Sequence, residues 1–88
     1  MRTLGTPNFE TLDRQGQARF VTLPIYEGGR PVSDALIVGY RGSDNAYWLC
    51  PNRACRQILR AGDQQILLNA AVAVLRVRGV TAWYGQRP

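Results

Sequence analysis

From Arg19 to Tyr26 the chain alternates without a break, with Val21, Leu23 and Ile25 on one side and Phe20, Thr22, Pro24 and Tyr26 on the other. A period of two fits a half-buried strand and no helix, because successive strand side chains point to opposite faces. The fold must therefore contain a sheet with one face on a core. Pro24 has no N–H to offer a ladder, which predicts that this strand lies at the sheet edge.

The remaining elements follow from that strand. Glu27-Gly28-Gly29-Arg30-Pro31 reads as a turn, and Ala35-Leu36-Ile37-Val38-Gly39-Tyr40 is apolar on both faces, as a central strand would be. Gly42-Ser43-Asp44-Asn45 is a second turn, and Ala46-Tyr47-Trp48-Leu49-Cys50 returns as a third strand, most simply in an antiparallel meander. Pro51 ends it. Asn52 then caps a short helix from Arg53 to about Arg60, with Ala54, Ile58 and Leu59 as its apolar side. Ala61-Gly62 closes this helix, and Asp63 caps a longer one from Gln64 to about Val77.

In that longer helix Gln65, Asn69 and Arg76 make a narrow polar stripe near Ala73, and apolar residues fill the rest. So narrow a stripe predicts burial on more than one side, against the sheet plus a second element or a second chain. The β-branched Val72, Val74 and Val77 support a competing reading of Val72–Tyr84 as two strands hinged at Gly79. The Leu- and Ala-rich run Leu67–Ala73 favours the helix. Val80–Tyr84 is then a closing strand, and residues 1–17 form an irregular arm with room for a short strand around Phe9–Leu12. The expected class is α+β: a small antiparallel sheet, made of a three-stranded meander plus a C-terminal strand, packed by a short helix and a longer apolar one.

At 88 residues the chain makes a single domain, 1–88, with a limited core. Dimerisation through the longer helix or through the Pro24 edge would enlarge it, so a homodimer or a subunit of a complex is expected. No apolar run reaches the roughly 20 residues of a membrane span, and Arg2 is not followed by the apolar stretch of a secretion signal, which together predict a cytoplasmic protein.

The chemistry is bounded by what is missing. All 11 basic residues are arginine, and there is no histidine. The side chain best suited to acid–base work near neutral pH is thus absent, as are Schiff-base chemistry and the lysine of a phosphate loop. The carboxylates Glu10, Asp13, Glu27, Asp34, Asp44 and Asp63 are scattered, without the spacing that pre-positions a metal. Neither an enzyme nor a cofactor is expected. Cys50 and Cys55 are four residues apart, short of the four ligands zinc needs. Two small reduced thiols take precedence over a disulfide across the loop.

What remains is binding. Residues 1–44 balance five arginines against five acids, whereas residues 45–88 hold six arginines and only Asp63, so the net +5 sits in the second half. Arg53, Arg56 and Arg60 would share one helix face, repelling one another unless an anionic partner lies over them. Arg76 and Arg78 extend the basic half. Tyr47–Trp48 and Trp83–Tyr84 are strand neighbours, so one of each pair should join the core and the other face out. Exposed Trp beside Arg dominates protein hot spots and also stacks on single-stranded bases.

The expected function is a non-catalytic, protein-binding regulator or inhibitor, of the small accessory kind that phages and plasmids carry. It would dock Arg53, Arg56, Arg60, Arg76, Arg78, Trp48 and Trp83 on an acidic partner. The alternative is a nucleic-acid binder that sets the same arginines against phosphates.

Overall fold

Residues 2–85, the part of the chain that the computed structural model describes, form eight elements. They are β1 (Arg2–Leu4), β2 (Asn8–Leu12), β3 (Ala18–Glu27), β4 (Arg30–Arg41), β5 (Tyr47–Pro51), α1 (Arg53–Ile58), α2 (Ala61–Val77) and β6 (Ala82–Tyr84). Met1 of the expected arm and Arg87 of the charge count lie outside the described residues.

Strands β3, β4 and β5 pair in chain order, each antiparallel to the one before. β6 then pairs with β5 in parallel. The sheet is therefore mixed, where the sequence predicted an antiparallel one. The cause is the connection: a parallel neighbour needs a crossover of a dozen or more residues, and α1 with α2 supplies it.

The expected arm is a pair of edge strands. β1 pairs with the second half of β3 and β2 with the first half, so together they form one interrupted edge. This corrects the reading of Pro24. β3 is paired on both sides, and Pro24 sits opposite the gap between Leu4 and Asn8. Its carbonyl accepts from Gly5 N at 2.7 Å. Carbonyl and amide of one residue point to the same side in an antiparallel strand, so the missing N–H falls where the neighbouring strand is broken.

The helices cover one face only. Val21, Leu23, Ile25, Ala35, Ile37, Tyr47, Leu49 and Ala82 turn inward against Cys55 and Leu59, and against Leu67, Leu68, Ala71, Val72 and Leu75 of α2. Asn52 joins α1 to β4: its Oδ1 accepts from Cys55 N (2.8 Å) and Leu36 N (3.2 Å), and its Nδ2 donates to the Asp34 carbonyl (2.6 Å).

α1 is shorter than expected. It ends at Ile58, and Leu59 and Arg60 are extended, with Arg60 as the N-cap of α2. Its buried side is Cys55 with Leu59 just beyond, while Ile58 is 41% exposed. Ala61 and Gly62 open α2 instead of closing α1, and Asp63 lies in the first turn of α2, where a carboxylate meets the positive end of the helix dipole. α2 remains helical to Val77, which sets aside the two-strand reading of Val72–Tyr84. Within the chain it is buried along one side; Ile66 and Val77 are 66% and 88% exposed, so among the described residues no second element covers its other side.

Candidate interaction surface

Among the described residues no element packs over the sheet face away from the helices, where Tyr40 and Trp83 are about half exposed and Phe20 and Trp48 only partly so. Its make-up follows from the pleat: with Val21, Gly39, Leu49 and Ala82 inward, the adjoining Phe20, Tyr40, Trp48 and Trp83 turn outward. Strand register then puts these four in one row. Phe20 is opposite Tyr40, Tyr40 opposite Trp48, and Trp48 opposite Trp83. Phe20 and Tyr40 rings lie 6.1 Å apart between centroids, and Trp48 and Trp83 rings 6.4 Å. The paired rings are tilted by 42° and 31°, and cross-strand aromatic neighbours of this kind stabilise a sheet.

The next row is Thr22, Val38 and Cys50, and the one after pairs Pro24 with Leu36. None of these outward positions is charged. At its far end on β2 the aromatic row meets Glu10, opposite Phe20. At the β6 end it meets an arginine: the Arg76 guanidinium lies 4.6 Å from the Trp83 ring centroid. Nε and Nη2 of Arg76 also donate to the Ala82 carbonyl at 3.2 and 3.0 Å, which fixes the guanidinium against the ring. A cleft of about 500 Å³ opens beside it, lined by Asn69, Val72, Ala73, Arg76, Trp83 and Tyr84.

The sequence-predicted residues divide between two sides of the molecule. Trp48 and Trp83 stand in the aromatic row, and Arg76 joins them. Arg53 and Arg56 are exposed on α1, Arg60 is exposed at the cap of α2, and Arg78 is exposed at its C-cap. These elements pack on the opposite face of the sheet from Trp48, so the helical arginines and the aromatics do not make one patch. Nor do Arg53, Arg56 and Arg60 share a helix face, because α1 ends before Arg60. Among the described residues the ion pairs are Arg2–Glu27 and Arg41–Asp13, leaving all five of these arginines without a carboxylate.

The expectation for the aromatic pairs holds for one of them. Tyr47 is core, its hydroxyl donating to the Ala18 carbonyl at 2.8 Å, and burial pushes its phenol pKa up. Trp83 and Tyr84 are both about half exposed, and Ala82 is the β6 residue that enters the core. Phe20 and Tyr40 were not among the residues predicted for the surface. The period-two pattern already put Phe20 opposite Val21; the missing information was the register that aligns it with Tyr40.

Cys50 and Cys55 are unlinked, Cys50 on the open face and Cys55 in the core, where burial raises the thiol pKa. The described residues contain no cluster of three or more potential metal ligands. No helix among them is long and apolar enough to cross a membrane. Compared with protein-family models, with curated proteins and with solved structures, the chain matches none.

Proposed function

We propose that the chain is a non-catalytic protein-binding module, a regulator or inhibitor, whose partner docks on the open sheet face. The observation that carries this reading is the row Phe20–Tyr40–Trp48–Trp83, which ends in the Arg76–Trp83 stack. Large aromatics lose little rotamer entropy on binding and supply most hot-spot energy, and arginine is the charged residue most often found with them. The occupant that fits is a protein surface apolar at its centre, with a carboxylate at the rim to meet Arg76. Arg76 has no acidic partner of its own among the described residues. Arg53, Arg56, Arg60 and Arg78, on the helical side, would steer an acidic partner at long range and contribute little to the contact itself.

Nucleic acid is the competing occupant, since bases stack on such rows. It is disfavoured because tracking a phosphate backbone takes cations along the groove, and the outward positions of β3, β4 and β5 between Phe20 and Cys50 hold none. Both tryptophans of the chain stand in the row, so intrinsic fluorescence reports binding there directly. Titration with single-stranded oligonucleotides should leave the emission unchanged at moderate salt. Capture from nuclease-treated host lysate should yield a protein that Trp83→Ala loses and that quenches or shifts the emission when purified. A tight oligonucleotide complex whose affinity falls log-linearly with salt would replace this reading with nucleic-acid binding.

A further inference from the structure

The face of α2 turned away from the sheet has the wrong character for solvent. A surface helix ordinarily places charged or polar residues opposite its buried stripe. Here the buried stripe is Leu67, Leu68, Ala71, Val72 and Leu75, and the opposite face carries Ile66, Ala70, Ala73 and Val77. These four recur at the four- and three-residue spacing of one helical line, and all are exposed, Ile66 and Val77 strongly so. Between Asp63 and Arg76 the helix has no charged residue at all.

The stripe is also symmetric about its own middle. Ile66 lies as far before Ala71 as Val77 lies beyond Val72, and Ala70 and Ala73 are the immediate neighbours of that central pair. Large residues thus stand at the ends and small ones inside. We propose that α2 is the surface through which two copies of this chain associate, packed antiparallel about a two-fold axis at the level of the Ala71–Val72 peptide bond. Ile66 of one copy meets Val77 of the other, and Ala70 meets Ala73. The two alanines let the helix axes approach toward the close end of the usual 8–10 Å range.

Charge selects the same arrangement. Asp63 lies in the first turn of α2, lining a cleft with Arg2 of β1, and Arg78 lies at its C-cap; the helical step of about 100° puts both on one flank of the stripe. Antiparallel packing sets Asp63 of each copy beside Arg78 of the other and aligns the two helix dipoles head to tail. A parallel pair would oppose like charges and like dipole ends. This inference rests on residues outside the aromatic row, so it and the proposed function stand or fall separately.

Sedimentation of the intact chain at tens of micromolar should show a monomer–dimer equilibrium, and Ala70→Glu should reduce association at least tenfold, while circular dichroism and the thermal midpoint measured at dilutions where both chains are monomeric stay unchanged. Orientation is read by cross-linking in a Cys50→Ser background. When Ile66→Cys and Val77→Cys chains are mixed and oxidised, the 66–77 heterodimer should form. Neither chain alone should link to itself, because like positions are then about 16 Å apart along the axis. A chain that stays monomeric, 66–66 links, or association that survives Ala70→Glu and disappears with Trp83→Ala would each overturn the proposal. Restored association when Arg78→Asp is added to Asp63→Arg is expected for the charge pairing, and failure to restore it would contradict that pairing.

Discussion

Gly39 turns inward on β4 between Val21 and Leu49, and a Cβ there would overlap the Leu49 side chain and stand 2.9 Å from Val21 Cγ1. Gly39→Ala should therefore lower stability by about 1–3 kcal/mol through overpacking, seen as a lower denaturant midpoint at unchanged slope. Gly79 matters for its backbone. Its φ of 80° closes α2 with paired bonds, Val80 N to Leu75 O and Gly79 N to Arg76 O, both 3.0 Å. Gly79→Ala puts a side chain into that left-handed conformation and should cost about 1 kcal/mol. Asp13 couples the fold to acid pH. The Arg41 guanidinium bonds its carboxylate, and the backbone amides of Gln17 and Gln15 add to it, holding the carboxyl below its ordinary value. A carboxyl pKa that is lower folded than unfolded stabilises the fold fully above the unfolded value, near 3.9. That stabilisation is lost as pH falls through the lower, folded value. Asp13→Asn should remove this part of the acid-unfolding limb, and an unchanged acid limb would show that the pair contributes nothing.

Among the elements, the α1 boundary was readable because its cap is a local device. Asn52 acts as expected, and it also ties the loop to β4 through Leu36 and Asp34. Asn52→Ala should cost about 2 kcal/mol, more than an ordinary cap, whereas Asn52→Asp keeps the acceptor and loses only the donation to Asp34. Thermal melts of the two variants should rank in that order. Strands β3, β4 and β5 were also readable, since alternation and turn residues are written within each segment. Register was not. The turn at Gly28–Gly29 pairs Glu27 with Arg30 and Tyr26 with Pro31, and continuing that register would put Phe20 opposite Ile37. An irregularity between Pro24 and Tyr26 adds residues on the β4 side, where Asp34 has a φ of 64°, and resets the pairing so that Phe20 meets Tyr40. A one-residue difference in parity decides which face a side chain joins, so the aromatic row is invisible until the bulge is known. In the arm the strand around Phe9–Leu12 agrees with β2, whereas three-residue β1 is too short to show a period and was not expected. Their strand character comes from the β3 edge that they cover.

Seen whole, the described residues form a sheet with arginine-bearing helices on one side and an aromatic face on the other. The sequence showed the positive half and the aromatic pairs but assigned them to one patch, because sequence distance does not reveal on which side of a sheet a residue stands. Among the described arginines Arg76 is the one that reaches from the helical side to the aromatic row. Packing of two copies along α2 leaves Phe20, Tyr40 and Trp48 of each turned outward on opposite sides of the pair, while Ala73, which also lines the cleft beside Arg76 and Trp83, brings the interface up to the edge of that surface. The central claim is that a protein partner binds this face and that the helical arginines serve chiefly to steer it. Dissociation rates of the nuclease-resistant complex, measured side by side for two double variants, test it most directly. Tyr40→Ala with Trp83→Ala should speed dissociation by at least tenfold, a loss of about 1.4 kcal/mol or more. Arg53→Glu with Arg56→Glu should slow association, most visibly at low salt, and leave dissociation nearly unchanged. Rapid dissociation of the arginine variant together with a parental rate for the aromatic one would place the contact on the helices and contradict the account.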